Sequence, residues 1–148
     1  MSDSKLPLPN PKLTNHPVDV GLRTEAAILS ELVRRGYSVL LPFGVNQRYD
    51  LVFDLDGRFV RVQCKTGRLH QGVVTFPTRS VRSNRKEILK RGYLGDADLF
   101  LVYCPENHQI YAVPVQEAPG DWMSLRVKRP LNNQVRRIRW AKDFELPA

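Results

Sequence analysis

Asp50 and the triplet Gln63-Cys64-Lys65 stand far enough apart for the chain between them to fold back on itself and bring them face to face. Two strand-like runs, Tyr49 to Leu55 and Arg58 to Lys65, flank Asp56-Gly57. That dipeptide suits a two-residue type I′ turn, in which both central residues take positive φ. The turn pairs Leu55 with Arg58, and outward from it Phe53 with Val60, Leu51 with Val62 and Asp50 with Gln63. Leu51, Phe53, Leu55, Val60, Val62 and Cys64 then share one face, and Asp50, Arg61, Gln63 and Lys65 the other; a slip of one residue would scramble both. Opposed residues have Cβ atoms roughly 5 Å apart, so an acid, an amide oxygen and an ammonium converge at one end of a hairpin. Such a cluster suits a divalent metal ion and a phosphate. Mg²⁺ prefers oxygen ligands, commonly one or two carboxylates completed by water and phosphate. Asp50 and Glu25 offer the carboxylates, and the Gln63 amide and the Cys64 carbonyl offer neutral oxygens. Taken alone, a Gln-x-Lys is the wet face of a strand and an aspartate at a strand start is a turn residue; the argument rests on their convergence.

The elements that must position this cluster follow from periodicity. Val18 to Arg35 reads as a helix, with Leu22, Ala26, Leu29 and Val33 in one stripe, Ile28 and Leu32 beside it, and Gly36 placed for a left-handed C-terminal residue. Glu25 falls among these apolar positions, where an acid is costly unless it meets a cation. Tyr37 to Leu41 follows as a strand, Pro42 to Gln47 as a turn, and then the hairpin. Gly67 to Gly72 is expected as a turn, Val73 to Phe76 as a strand and Asn84 to Arg91 as a basic helix. Asp98 to Cys104 and Gln109 to Val113 are strands around Pro105-Glu106-Asn107. Met123 to Lys128 is an edge strand and Ile138 to Leu146 a final short helix. The expectation is an α/β (α+β-like) domain over residues 18–148, a mixed sheet flanked by helices in the order αβββ and then further elements. Residues 1–17, with four prolines and no periodicity, read as a mobile arm.

A chain of 148 residues is one ordinary domain and buries about two thirds of its unfolded surface. No apolar run approaches a membrane span, and no signal peptide is read at the start. Two cysteines without a secretory context read as reduced thiols of an intracellular, cytoplasmic protein. The net charge of +8 is concentrated: Arg58 to Gly92 holds ten basic residues against Glu87 alone, and Arg126 to Lys142 holds seven and no acid. Two such segments point to a polyanion. Aromatic residues are sparse within them, which favours duplex phosphate over single-strand stacking.

The order Glu25, Asp50, Gln63-Cys64-Lys65 resembles the PD-(D/E)XK nuclease superfamily, in which a helix acid precedes a β-hairpin carrying an acid and then acid-x-lysine. More narrowly, Arg35-Gly36-Tyr37, Arg48-Tyr49-Asp50-Leu51-Val52, Arg61 to Arg68, Val102 to Glu106 and Ile138 to Lys142 are similar to segments of group I intron-associated homing endonucleases of cyanobacterial type. The chain departs from the general pattern at Gln63, where a carboxylate is usual and the narrower group tolerates glutamine. It departs again at Tyr49, where a proline is usual.

The resemblance implies a restriction-endonuclease-like core and hydrolysis of phosphodiester bonds in duplex DNA, with Mg²⁺, or Mn²⁺ in its place, as cofactor. Glu25, Asp50, Gln63 and Lys65 are the catalytic residues it implies, Lys65 serving the attacking water and the developing charge. Arg48, Arg61, Arg79, Arg82, Arg85 and Lys86 are candidates for phosphate contacts. Arg68, His70, Gln71, Asn132, Asn133 and Gln134 carry groups suited to base edges, or else are ordinary loop residues. One site per domain cuts one strand, so a homodimer or homotetramer is expected. Two alternatives stand beside this reading: a Holliday-junction resolvase or restriction- or repair-type nuclease of the same fold, and a DNA-binding module that no longer cleaves.

Overall fold

The computed structural model describes residues 8–118 and 120–147, so the first seven residues of the expected arm lie outside the described residues. Helix α1 (Pro17–Arg34) starts with proline in its first turn and with His16 as N-cap. Before it, Thr14 bonds to Asp19 and its carbonyl accepts from Arg23, so the end of the arm is already tied to the helix. Gly36, at φ 87°, ends the helix as expected. The buried stripe, however, is Thr24, Ile28 and Leu32, one residue per turn. Leu22 and Val33, expected inside, are 65% and 58% exposed. Apolar residues run round most of this helix, and the polar member of the true stripe hid it. Thr24 is accommodated because its hydroxyl meets that of Thr66 at 2.7 Å.

Five strands form the main sheet: β1 (Ser38–Leu40), β2 (Leu51–Leu55), β3 (Arg58–Thr66), and, later in the chain, Leu99–Cys104 and Gln109–Pro114. Between them come β4 (Arg68–His70), β5 (Val73–Pro77), β6 (Ser80–Ser83) and β7 (Ile88–Arg91), so the two later strands are β8 and β9, and Trp122–Arg126 is β10. The sheet order is β1-β2-β3-β8-β9. Only the β3–β8 pair is parallel; the others are antiparallel. The hairpin register is the one expected, Leu55 opposite Arg58, Phe53 opposite Val60 and Leu51 opposite Val62, closed by Asp56 and Gly57 at φ 53° and 85°.

The two faces of this sheet carry two cores. Leu51, Phe53, Val60, Val62, Cys64 and Leu101 pack with Ile28 and Leu32 of α1. Phe100, Val102 and Cys104 face the other way, against Val74, Phe76, Met123 and Leu125. Those four come from a second sheet of order β10-β5-β4, so one flank is a helix and the other is itself β. Each fully buried Leu, Ile, Val or Phe contributes about 1.5–3 kcal/mol by leaving water, so Ile28 and Leu32 hold α1 firmly on the sheet. Where β3 leaves for the second layer, Gly67 admits close packing: a Cβ there would lie 2.8 Å from Val74 Cγ1 and 3.0 Å from Val102 Cγ1.

Three expectations need correction. The stretch Gly67 to Gly72 is not all turn, because β4 pairs with β5 around Gln71 and Gly72, both at positive φ. Asn84 to Arg91 is not a helix. Asn84 instead caps a turn, its side-chain oxygen accepting from the backbone of Lys86 and Glu87, and the chain returns as β7 along β6; local side-chain bonding of this kind competes with helix. Within Ile138 to Leu146 only Ala141–Phe144 turns, as a 3₁₀ segment, because bridges from Trp140 to Arg126 and from Glu145 to Tyr111 hold both ends extended. Met123 to Leu125 lie in an edge strand as expected. Among the described residues, no helix is long and apolar enough to cross a membrane.

Candidate active site

Asp50 sits one residue ahead of β2, with its amide donating to the Val62 carbonyl at 2.8 Å. That bond extends the hairpin register by one step and delivers the carboxylate to the end of β3. There Asp50 Oδ2 accepts from the backbone N–H of Cys64 at 2.7 Å. The neighbourhood had been expected to offer only the Cys64 carbonyl; the N–H is the part of Cys64 that fixes the acid. Burial pushes the Asp50 carboxyl above the usual aspartate range, while the Cys64 N–H and the Lys65 ammonium pull it back. The Cys64 thiol is buried in the helix-side core, and burial drives it up strongly, so it remains a protonated packing group.

Glu25 corrects one expectation and keeps another. It is exposed at the margin of α1, beside the buried Thr24, and not on the buried stripe. Its carboxyl is nonetheless raised, first by desolvation and then by the negative charge of Asp50. The Asp50 charge thus reaches Glu25 from a different element, a repulsion that a bound cation would relieve. Among the described residues no group of three His, Cys, Asp or Glu side chains gathers anywhere, so further oxygens at this site must be neutral. Gln63, half-buried on β3 between Val62 and Cys64, is available for that. Two carboxylates completed by neutral oxygens are a set that a hard divalent ion takes.

Lys65 lies on the sheet face opposite α1. Its Nζ donates to the Tyr93 hydroxyl at 3.1 Å and stands 4.5 Å from the centroid of the same ring. Tyr93 is buried and meets Phe100 edge-on at 5.5 Å. Arg48 covers the Tyr93 ring at 4.3 Å, with its own donors on Asp96, Ser80 Oγ and the Gly92 carbonyl. Tyr93 escaped the sequence reading because nothing local relates it to Lys65. The two meet only after the chain has crossed the second sheet and the β6–β7 hairpin, and the sole hint was an aromatic residue closing the first basic segment.

The expected DNA-contacting residues differ in what they meet in the fold. Arg48 and Arg61 are turned inward to protein partners: Arg61 pairs with Asp98 at 3.0 Å and donates to the Gly95 carbonyl, which holds Asp98 below the usual range. Arg79 pairs with Asp121 at 3.3 Å. Arg68 reaches Glu106 only at 3.8 Å and lies with His70 and Gln71 on the exposed β4 end of the second sheet. Arg82, Arg85 and Lys86 are exposed on the β6–β7 hairpin. Asn132, Asn133 and Gln134 form an exposed loop, Asn133 at φ 55°.

The family model for PD-(D/E)XK endonucleases matches residues 15–147. Among solved structures, a bacterial homing endonuclease, I-Ssp6803I, is similar at 26% identity and a TM-score of 0.72, over 87% of this chain and 88% of that one. No curated protein matches. The family span holds both the helix that carries Glu25 and the hairpin that carries Asp50, Gln63 and Lys65, and the fold is of the restriction-endonuclease-like kind that this structure shares. The chain belongs to the PD-(D/E)XK endonucleases.

Proposed function

We propose that this endonuclease cleaves duplex DNA at a preferred sequence, with a divalent metal ion, in the manner of a homing endonuclease. The observation that carries the reading is the Asp50 carboxylate held by the Cys64 N–H at the end of the hairpin, where it feels the Lys65 charge and its own charge reaches Glu25. Asp50 and Glu25, with the Gln63 amide and the Cys64 carbonyl, are the groups that would hold Mg²⁺ or Mn²⁺. When bound, the ion supplies Lewis-acid polarisation of the scissile phosphoryl group.

The chain's own residues do the rest. The Cys64 N–H donates to Asp50 Oδ2 and fixes the carboxylate's orientation. Lys65 gives one N–H to Tyr93 and keeps two for the attacking water and a non-bridging phosphate oxygen, where its charge opposes the negative charge that grows in the transition state. The exposed cations Arg85 and Lys86 bind backbone phosphate, giving affinity without sequence information. Each domain carries one such site and cuts one strand, so a double-strand break requires two copies about a two-fold axis, as a homodimer or homotetramer. Action on DNA places the protein inside the cell.

Nicking and linearisation of supercoiled plasmid test this. Wild type cuts in Mg²⁺ and not in EDTA, and Lys65→Ala, Asp50→Ala and Glu25→Ala lose cleavage by at least about 100-fold while retaining most duplex affinity. Full activity of Lys65→Ala would overturn the assignment. The two-carboxylate count favours one rival, a DNA-binding module without cleavage, which predicts binding and no nicking in any divalent metal. Preference for an immobile four-way junction over linear duplex would mark a resolvase.

A further inference from the structure

We infer that the β6–β7 hairpin is a reading element that enters the major groove of the duplex, and that Arg48 sets its position relative to Lys65. The inference rests on the nuclease reading above and deepens it. Residues 81–91 are all exposed, so this ribbon is not packed as part of either core. Its shape is nevertheless fixed without DNA. Ser80, Val81, Arg82 and Ser83 pair with Arg91, Lys90, Leu89 and Ile88, and the tip is locked by Asn84, whose backbone N–H donates to the Glu87 carbonyl at 3.0 Å while its side chain accepts two amides.

The charge along the ribbon is graded. At the root the cations are matched: Lys90 and Arg79 both pair with Asp121, and Arg91 with Asp96. Arg82, Arg85 and Lys86, toward the tip, have no ion-pair partner among the described residues. Strand alternation puts Arg82 on one face with Leu89, and Val81 on the other with Ile88. Val81, Ile88 and Leu89 are 60%, 68% and 51% exposed. A free two-stranded ribbon with apolar side chains and unpaired edges is an aggregation hazard unless something covers it, and its positive tip selects a polyanion.

Dimensions choose the groove. Two strands lie about 4.8 Å apart and carry side chains on both faces, a cross-section admitted by a major groove about 12 Å wide and not by a minor groove about 6 Å wide. In the major groove arginine binds guanine edges and apolar side chains meet thymine methyls, which matches the two kinds of side chain that this ribbon exposes. Its placement is tied to the cutting site by one guanidinium: Arg48 bonds Ser80 Oγ and the Gly92 carbonyl at the root of the ribbon, where its two strands begin and end, and stacks on the tyrosine that receives Lys65.

The test is selection of bound duplexes from a randomised library, in Ca²⁺ so that binding is read without cleavage, followed by guanine-N7 methylation interference on the preferred site. The proteins are wild type, Arg82→Ala, the triple variant Arg82→Ala/Arg85→Ala/Lys86→Ala, and a chain in which residues 83–88 are replaced by Asn-Gly. Expected are loss of preference over adjacent base pairs in the shortened variant, loss of N7 interference there, and about a 10-fold relaxation at one base pair for Arg82→Ala. The triple variant flattens the slope of log affinity against log salt by about 1.8, at about 0.9 for each of the phosphate contacts of Arg85 and Lys86, and keeps the wild-type melting temperature. If the shortened and triple variants select the wild-type sequence with wild-type preference, if wild type shows no preference, or if the variants lose self-association in place of sequence choice, the inference is overturned. Failure of wild type to nick plasmid in any divalent metal would instead sink the nuclease reading, and the selection would still report on the ribbon.

Discussion

Tyr93 is the sharpest handle on the proposed chemistry, because it touches Lys65 in two separable ways. The hydroxyl accepts a hydrogen bond from Nζ at 3.1 Å, and the ring lies 4.5 Å from the same nitrogen. Tyr93→Phe removes the first and keeps the second; Tyr93→Leu removes both. A hydrogen bond to a charged group contributes about 1.5–3 kcal/mol, and the length of this one places it at the lower end. A partly desolvated cation–π contact adds about 1–2 kcal/mol. If these interactions hold Lys65 where transition-state charge develops, each 1.36 kcal/mol is tenfold in rate. The expected fall is then about 10-fold for Phe and about 100-fold for Leu. The assay is single-turnover cleavage with enzyme in excess over a duplex, with Kd measured separately in Ca²⁺. Binding should stay within about twofold, since Tyr93 is buried and Arg48, which lies over its ring, keeps its bonds to Ser80 Oγ and the Gly92 carbonyl when the ring is lost. Tyr93→Leu also loses the edge-on contact with Phe100, about 0.5–1.5 kcal/mol of stability, so rates are compared well below both melting temperatures. A graded loss in the order Tyr, Phe, Leu at constant Kd supports positioning; wild-type rates in both variants, or rates that merely follow melting temperature, refute it.

Asp50→Asn should raise the melting temperature of the metal-free protein at pH 8. Burial raises the folded-state pKa of Asp50, so its ionised form costs stability at high pH, and the gap should close as pH falls below the ordinary carboxylate range; added Mg²⁺ should stabilise wild type and leave the Asn variant unmoved. Gln63→Glu should cleave with altered metal preference, and Gln63→Ala should lose roughly 10–100-fold in metal affinity, measured by metal titration of nicking; an Ala variant equal to wild type would make Gln63 a bystander. Thr24→Val strands the Thr66 hydroxyl, should cost about 1–3 kcal/mol in denaturant unfolding, and should slow cleavage by shifting Glu25. Sedimentation equilibrium should find a dimer or tetramer at tens of micromolar, and a chain that stays monomeric with and without duplex can only be a nickase.

What was legible in the sequence was what short stretches of chain decide. The Asp56-Gly57 turn sets a register that fixes every pair in the hairpin, so Asp50 could be placed against the end of β3 without knowing any other contact. Helix α1 was legible as a helix and not as a face, because its apolar residues outnumber what one stripe needs and the side chain nearest Glu25 that is buried is a threonine. The basic stretch from Asn84 was legible as charge and not as conformation: Asn84 sits where a helix N-cap would sit, and the same oxygen closes a hairpin turn instead.

The deeper limit concerns positive charge. A cation in sequence is equally a phosphate contact and an internal clamp, and only the folded chain says which acids reach it. Arg48, Arg61 and Arg79 stand in or near strands whose neighbours across the fold are Asp96, Asp98 and Asp121, none of which is close in sequence. Arg82, Arg85 and Lys86 extend beyond the reach of those three acids. On this hairpin the cations at the root, Arg79, Lys90 and Arg91, are taken by Asp96 and Asp121 and hold it in place, and those toward the tip are left over for a polyanion.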